Sequence, residues 1–179
     1  MDIRTMEKGV SLILQGMGVD RHSAHFKETP RRVAKMYAEM LTPRESHWAT
    51  FPSASSDLIV LRGHRVIALC PHHLLPVELR CHVGYIPNDT TVGLSKLARV
   101  VEVQLTTPIT QEDLADAVAN SLNDKLRPKG VGVLIAGVHG CMRFRGVETE
   151  GDVVVSVMKG VLLLNPIARQ EFLQIVGAP

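Results

Sequence analysis

Leu58-Ile59-Val60-Leu61-Arg62-Gly63-His64-Arg65-Val66-Ile67-Ala68-Leu69 is where the chain changes its hydrophobic period. Residues 58–61 and 65–69 are aliphatic runs of strand length, broken by Gly63. Downstream, residues 77–86 read as another strand, closed by Pro87-Asn88-Asp89. Ser95 then opens a helix with Leu97, Val100, Val101 and Val103 at its apolar positions. Thr110-Gln111-Glu112-Asp113 opens the next, with Thr110 as cap and two carboxylates where the helix dipole favours them. Leu114, Ala117, Val118 and Leu122 give that helix one apolar face, and Arg127-Pro128-Lys129-Gly130 ends it. Strand-like runs follow at 131–138 and 153–158, then a short helix over 166–176.

Upstream of Leu58 the spacing is helical. Met6, Val10, Leu12, Ile13 and Met17 predict a helix over 4–18, ended by Gly16 and Gly18. Thr29-Pro30-Arg31-Arg32 predicts a second start, Thr29 capping and Pro30 at the first helical position, with Val33, Met36, Tyr37 and Met40 as its apolar stripe. Residues 42–57, with Pro43, Pro52 and several serines, read as a connecting loop. The chain therefore divides into a helical extension with its linker, 1–57, and a domain, 58–179. Two antiparallel hairpins joined by a helical pair predict an α+β fold with both helices on one face of a four-stranded sheet. Such a sheet has two free edges, and joining them around a ring of subunits would remove both.

Composition narrows the function classes. Hydrophobic content of 45% fills a core, and 21% charged residues is ordinary for a soluble chain. A net charge of +2 and 4% aromatic residues suggest neither a nucleic-acid surface nor a base-stacking platform. Three cysteines are too few and too odd for a disulfide framework and fit a reducing compartment. The first residues lack an uninterrupted apolar core of signal-peptide length, and no stretch has the roughly 18 apolar residues of a membrane span. The expectation is a cytoplasmic protein with no membrane or nucleic-acid partner.

Two separated segments carry metal-ligand chemistry. Cys70-Pro71-His72-His73 places a thiol and an imidazole three residues apart, and His139-Gly140-Cys141 places another pair two apart, facing one way if on a strand. A thiolate and neutral imidazole suit Zn²⁺. Cys70, His73 and Cys141 as three ligands leave a fourth position for water, the arrangement of catalytic zinc. His72 and His139 then stand beside it, suited to proton transfer. A structural zinc closed by Cys81 is the other reading. Ser95, Lys96 and Arg99 share the first turn or so of a helix, which is either a solvated basic face or an anion site. Arg143 and Arg145 alternate with Met142 and Phe144, as two cations pointing into one cleft would.

The chain resembles GTP cyclohydrolase I, the zinc enzyme that opens the imidazole ring of GTP, releases formate and recloses a pterin ring. The resemblance runs from Thr29-Pro30-Arg31-Arg32-Val33-Ala34 to Gln170-Glu171-Phe172-Leu173. Its anchors are Cys70-Pro71-His72-His73, Tyr85-Ile86-Pro87, Gly93-Leu94-Ser95-Lys96, Gln111-Glu112, His139-Gly140-Cys141 and Arg145-Gly146. It implies the tunnelling fold, in which sheets of several subunits close into barrels, two rings stack as a decamer, and active sites form between subunits. It implies zinc on Cys70, His73 and Cys141, and catalytic roles for His72, His139 and Ser95. It also implies that Glu112, with Gln111, reads the guanine edge. Ser95, Lys96, Arg99 and Arg145 would face ribose and triphosphate.

The chain departs from the family pattern at three places. Pro71 stands where the family usually has Glu, Thr107-Pro108-Ile109-Thr110 replaces a segment with Arg and Gln, and Gly151-Asp152-Val153-Val154-Val155-Ser156 replaces a threonine-rich run. Three functions are compatible with this: a GTP cyclohydrolase I making 7,8-dihydroneopterin triphosphate; a divergent purine-nucleotide hydrolase with a changed substrate or stopping after ring opening; and a non-catalytic zinc-stabilised nucleotide-binding oligomer.

Overall fold

A computed structural model of the chain describes residues 1–42 and 47–177. It divides into two compact units, Met1–Thr42 and the chain from Pro43 onward. The first unit is a helical hairpin of α1 (Ile3–Gly16) and α2 (Thr29–Leu41), in which Leu14 and Ala34 are buried. Asp2 caps α1 by accepting the Thr5 N–H at 3.1 Å. Glu28, without a side-chain cap bond, occupies the cap position of α2, so Thr29 lies within the helix and not before it. Its hydroxyl bonds back to the His25 carbonyl instead.

The second unit begins with β1 (Thr50–Pro52), which pairs antiparallel with β4 (Thr90–Val92). The expected loop over 42–57 thus holds a strand, and its residues 43–46 lie outside the described residues. The main sheet has β2 (Ile59–Leu69), β3 (Pro76–Ile86), β5 (Gly130–His139) and β6 (Val153–Gly160), all antiparallel in the order β2-β3-β5-β6. Gly63, at φ +68°, does not end β2 but sits in a bulge between Leu61 and His64.

Between the two hairpins come α3 (Ser95–Glu102) and α4 (Gln111–Leu126). Thr110 caps α4 as its sequence predicts, accepting the Asp113 N–H at 3.1 Å. Alternation decides which sheet face they cover. Val77, Leu79, Cys81, Val83 and Tyr85 of β3 and Val131, Val133 and Ile135 of β5 form one core with Leu97, Val100 and Val101 of α3 and Leu114, Val118 and Leu122 of α4. Each such side chain, fully withdrawn from water, contributes about 1.5–3 kcal/mol. The α+β class and the helical pair on one face are as expected.

The opposite face is covered at one end only. Beyond β6 come α6 (Val161–Leu164) and α7 (Pro166–Gly177), numbered after α5 (Gly140–Arg143), the short turn that follows β5. Phe172 of α7 lies over Gly84 and Gly132, which pair directly across β3 and β5. A Cβ at Gly84 would come within 2.9 Å of the Phe172 ring, so the two glycines make its seat. The other half of this face is an open hollow of about 570 Å³ floored by Ile67, Ala136 and Val138 and edged by Arg65, Glu78, Arg80 and Asp152. Among the described residues no helix is long and apolar enough to cross a membrane.

Tyr85 ties the small sheet to the large one. Its hydroxyl accepts the buried Val92 N–H at 3.1 Å and bonds Thr91 Oγ1 at 2.7 Å. Tyr85→Phe leaves that N–H without a partner, which costs about 1–3 kcal/mol. Urea denaturation at fixed protein concentration should show a lowered midpoint; an unchanged one means the hydroxyl is not what joins β3 to β4.

Candidate active site and metal centre

Strand register assembles the site. The β2–β3 hairpin closes at Leu69 opposite Pro76, and residues 70–75 form its connection. That connection is tightened by Cys70 N–H to the Leu75 carbonyl and Leu74 N–H to the Cys70 carbonyl, both 2.9 Å. On the other side of β3, Val77 pairs with His139, so the last residue of β5 arrives beside the same connection. Cys141 lies two residues on, in α5. Gly140 between them passes so close to the chain that a Cβ there would lie 2.8 Å from the Pro76 carbonyl.

The result is a three-ligand cluster. Ligand atoms of Cys70, His73 and Cys141 lie within 4.8 Å of one another, the only such group among the described residues. Cys81 is not part of it. It is buried under the helices on β3, and desolvation pushes its thiol up to about 12. The closed four-ligand alternative therefore fails on position. Burial and the neighbouring Cys70 thiol raise the Cys141 pKa, because two thiolates side by side repel and are poorly solvated. A divalent cation removes both penalties, so two thiols and an imidazole at this spacing fit Zn²⁺.

His72 and His73 sit edge to face with ring centres 6.4 Å apart. Their Nδ1 atoms lie 3.9 and 3.7 Å from Cys70 Sγ. The cleft beside the cluster, about 190 Å³, is also lined by Ile109, Gln111, Glu112 and His139. A main-chain bond draws the α4 start to it: the Ile109 N–H donates to the Leu69 carbonyl at 3.1 Å. Pro71, Ile109 and Thr110, three residues of the departing segments, line the same cleft.

Several expected site residues fall differently. Because α5 interrupts the strand, Arg143 and Arg145 do not alternate into one cleft. Arg143 reaches Glu150 at 3.6 Å, while Arg145 Nη1 donates to His73 Nε2 at 2.9 Å. Ser95, Lys96 and Arg99 line no part of the cleft. They begin α3, and that helix follows β4 at the far end of β3. Gln111 is buried and turned into the protein, with His139 Nε2 2.8 Å from its amide oxygen. No sequence spacing announces that bond, which joins residues 28 apart.

The chain is similar in sequence to known proteins over nearly its whole length. The profile of the GTP cyclohydrolase I family matches residues 6–177. GTP cyclohydrolase 1 of Streptococcus agalactiae is 38% identical over 96% of this chain and 95% of its own length. The protein of that name from Aquifex aeolicus is 37% identical over 98% and 97%, and that from Rhodopirellula baltica 37% over 99% and 80%. With the family profile matched over residues 6–177 and these relatives aligned with 96% or more of its length, this chain belongs to the GTP cyclohydrolase I family.

Proposed function

We propose that the chain hydrolyses the imidazole ring of GTP at C8, releases that carbon as formate, and recloses the remainder as 7,8-dihydroneopterin triphosphate. The observation that carries this reading is the convergence of Cys70, His73 and Cys141 with His72, His139 and Glu112 on one cleft. Zn²⁺ held by those three ligands would supply a Lewis acid with one open position, which lowers the pKa of water there toward about 7.

The protein's own groups supply the rest. Breaking a C–N bond at C8 pushes electrons onto a ring nitrogen, which must take a proton before it leaves. His139, beside the ligand set, gives that proton, and His72 serves the second transfer. Glu112 stands exposed at the mouth of the cleft, in the first turn of α4. Its carboxylate accepts from the guanine N1–H and 2-amino group, a donor pair that adenine lacks.

The cleft within one chain, about 190 Å³, is smaller than the roughly 300–1,000 Å³ of a typical ligand pocket, so a whole nucleotide needs walls from outside it. Ser95, Lys96 and Arg99 suit the triphosphate and the ribose through a hydroxyl and two cationic side chains at the start of α3. Within one chain they are remote. α3 starts just after β4, which Tyr85 holds through Val92, and Val77 to Tyr85 is eight strand residues, roughly 26 Å at 3.3 Å per residue. One substrate meets both groups only if a second copy brings its α3 to the cleft, so the working unit is a homo-oligomer; by resemblance it is a decamer. Arg145 joins the phosphate set. A His73 that binds metal through Nδ1 carries its proton on Nε2 and no longer accepts from the guanidinium.

A second reading, a changed substrate or a reaction that stops after ring opening, draws on Pro71, Ile109 and Thr110 lining the cleft. Incubation with a panel of guanine nucleotides separates the two. Formate with a fluorescent pterin supports the first, and a formylated ring-opened nucleotide as end product supports the second.

Three variants test the assignments. Cys141→Ala should lose most of its zinc by metal analysis while Cys81→Ala keeps it; the opposite result removes Cys141 from the ligand set. Glu112→Gln turns one acceptor into a donor against guanine, a mismatch of about 1–3 kcal/mol once the bound base covers it. Unchanged turnover and affinity for guanine nucleotides would move base recognition elsewhere. His139→Ala should hold its zinc and bind GTP but release formate slower by about 10²–10⁴-fold, the usual size of general acid catalysis. Near-normal formate release takes His139 out of the chemistry, and lost zinc makes it a ligand.

A further inference from the structure

We infer that Gln111 is a positioning residue that fixes the tautomer of His139 and leaves Nδ1 as the ring nitrogen that meets the substrate. The inference takes its chemical meaning from the ring-opening reaction proposed above. Gln111 is 4% exposed, and its amide nitrogen lies 2.8 Å from the Ile135 carbonyl oxygen and 2.9 Å from that of Val153. A carboxamide has two N–H donors and both are spent on these carbonyls. The amide therefore has one orientation, since turning it over would set its oxygen against two carbonyl oxygens.

That orientation aims Oε1 at His139 Nε2, 2.8 Å away. An amide oxygen only accepts, so Nε2 must carry the hydrogen. Neutral His139 then has its lone pair on Nδ1, and protonated His139 has its transferable proton there, because the Nε2–H stays with Gln111. The two carbonyls belong to β5 and β6, so the imidazole is held by a group that both strands hold. Room for this arrangement comes from Gly137, two residues before His139. A Cβ on residue 137 would collide with Gln111 Oε1 and lie 2.7 Å from Leu79 Cδ2. Gln111 thus acts on the base through His139.

The test uses the zinc-loaded full-length protein. Solid-state ¹⁵N spectra of histidine-labelled wild type, assigned by difference against His139→Asn, should show His139 with hydrogen on Nε2. A lone pair on Nε2 with hydrogen on Nδ1 overturns the inference, whatever the variants do. Gln111→Met removes the acceptor at similar length. It should give a mixed tautomer signal and a kcat for formate release lower by about 10–100-fold, the range for groups that orient a histidine from behind. KM for GTP should stay within about twofold and zinc content unchanged. Gly137→Ala, which displaces the Gln111 oxygen without touching Glu112, should move kcat in the same direction. A raised KM with kcat retained would make Gln111 a base contact and overturn the inference, as would loss of zinc or an unaltered kcat. Should wild type release no formate, the ring-opening reading fails separately, and the ¹⁵N spectra still decide the tautomer.

Discussion

The pairing of Val77 with His139 is the constraint on which the rest of the site depends. It places the end of β5 against the β2–β3 connection, and only then do Cys70 and His73 have Cys141 within reach. A slip of one residue would send every side chain of β5 to the other face of the sheet. The helical core guards against this, because Val131, Val133 and Ile135 are wholly buried beneath α3 and α4. The apolar packing that stabilises the domain is therefore what positions the ligands. Three separate polar segments are aligned by a register that none of them specifies.

The two faces of the sheet serve different ends. The helix-covered face supplies cohesion, and its buried Cys81 is chemically quiet because no charge stabilises its thiolate. The other face is closed by Phe172 at one end and open over Ile67, Ala136 and Val138 at the other. The metal-ligand cluster lies at the rim, where the strands stop, and that is where loops and helix starts converge without disturbing the ladder. Buried Gln111 is the one polar side chain of α4 within the core, and its amide hydrogens satisfy carbonyls of β5 and β6.

Two of the three departures from the family pattern lie at this rim. Pro71 lies between two potential ligand positions, and Ile109 and Thr110 lead into α4 against the same cleft. The main-chain bond from Ile109 to Leu69 holds the altered segment in place without any particular side chain, so the carrier of Glu112 is retained while the wall changes chemistry. Cys70, His72 and His73 stand in the β2–β3 connection, His139 ends β5, and Cys141 lies in the short turn α5. Pro71 and residues 107–110 stand in connections, where substitution costs the fold least, whereas Val153–Ser156 belong to β6.

The sequence alone determined what short-range chemistry encodes. Period and capping placed β2, β3, α4, β5 and β6, and the close Cys/His spacings marked Cys70, His73, His139 and Cys141, because each signal is local to a few residues. It misplaced elements where a neighbour distant in sequence overrides local preference. Thr50-Phe51-Pro52 reads as loop until β4 pairs with it, and residues after His139 read as strand until the close pass of Gly140 turns them into α5. The role of Gln111 was beyond sequence reading, since its partners Ile135, His139 and Val153 come from two strands formed long after it in the chain. Only tertiary structure decided that Gln111 faces His139 and that Ser95, Lys96 and Arg99 line no part of the cleft beside the cluster. Hydrogen-bond geometry and strand length act across space, and residue spacing records neither.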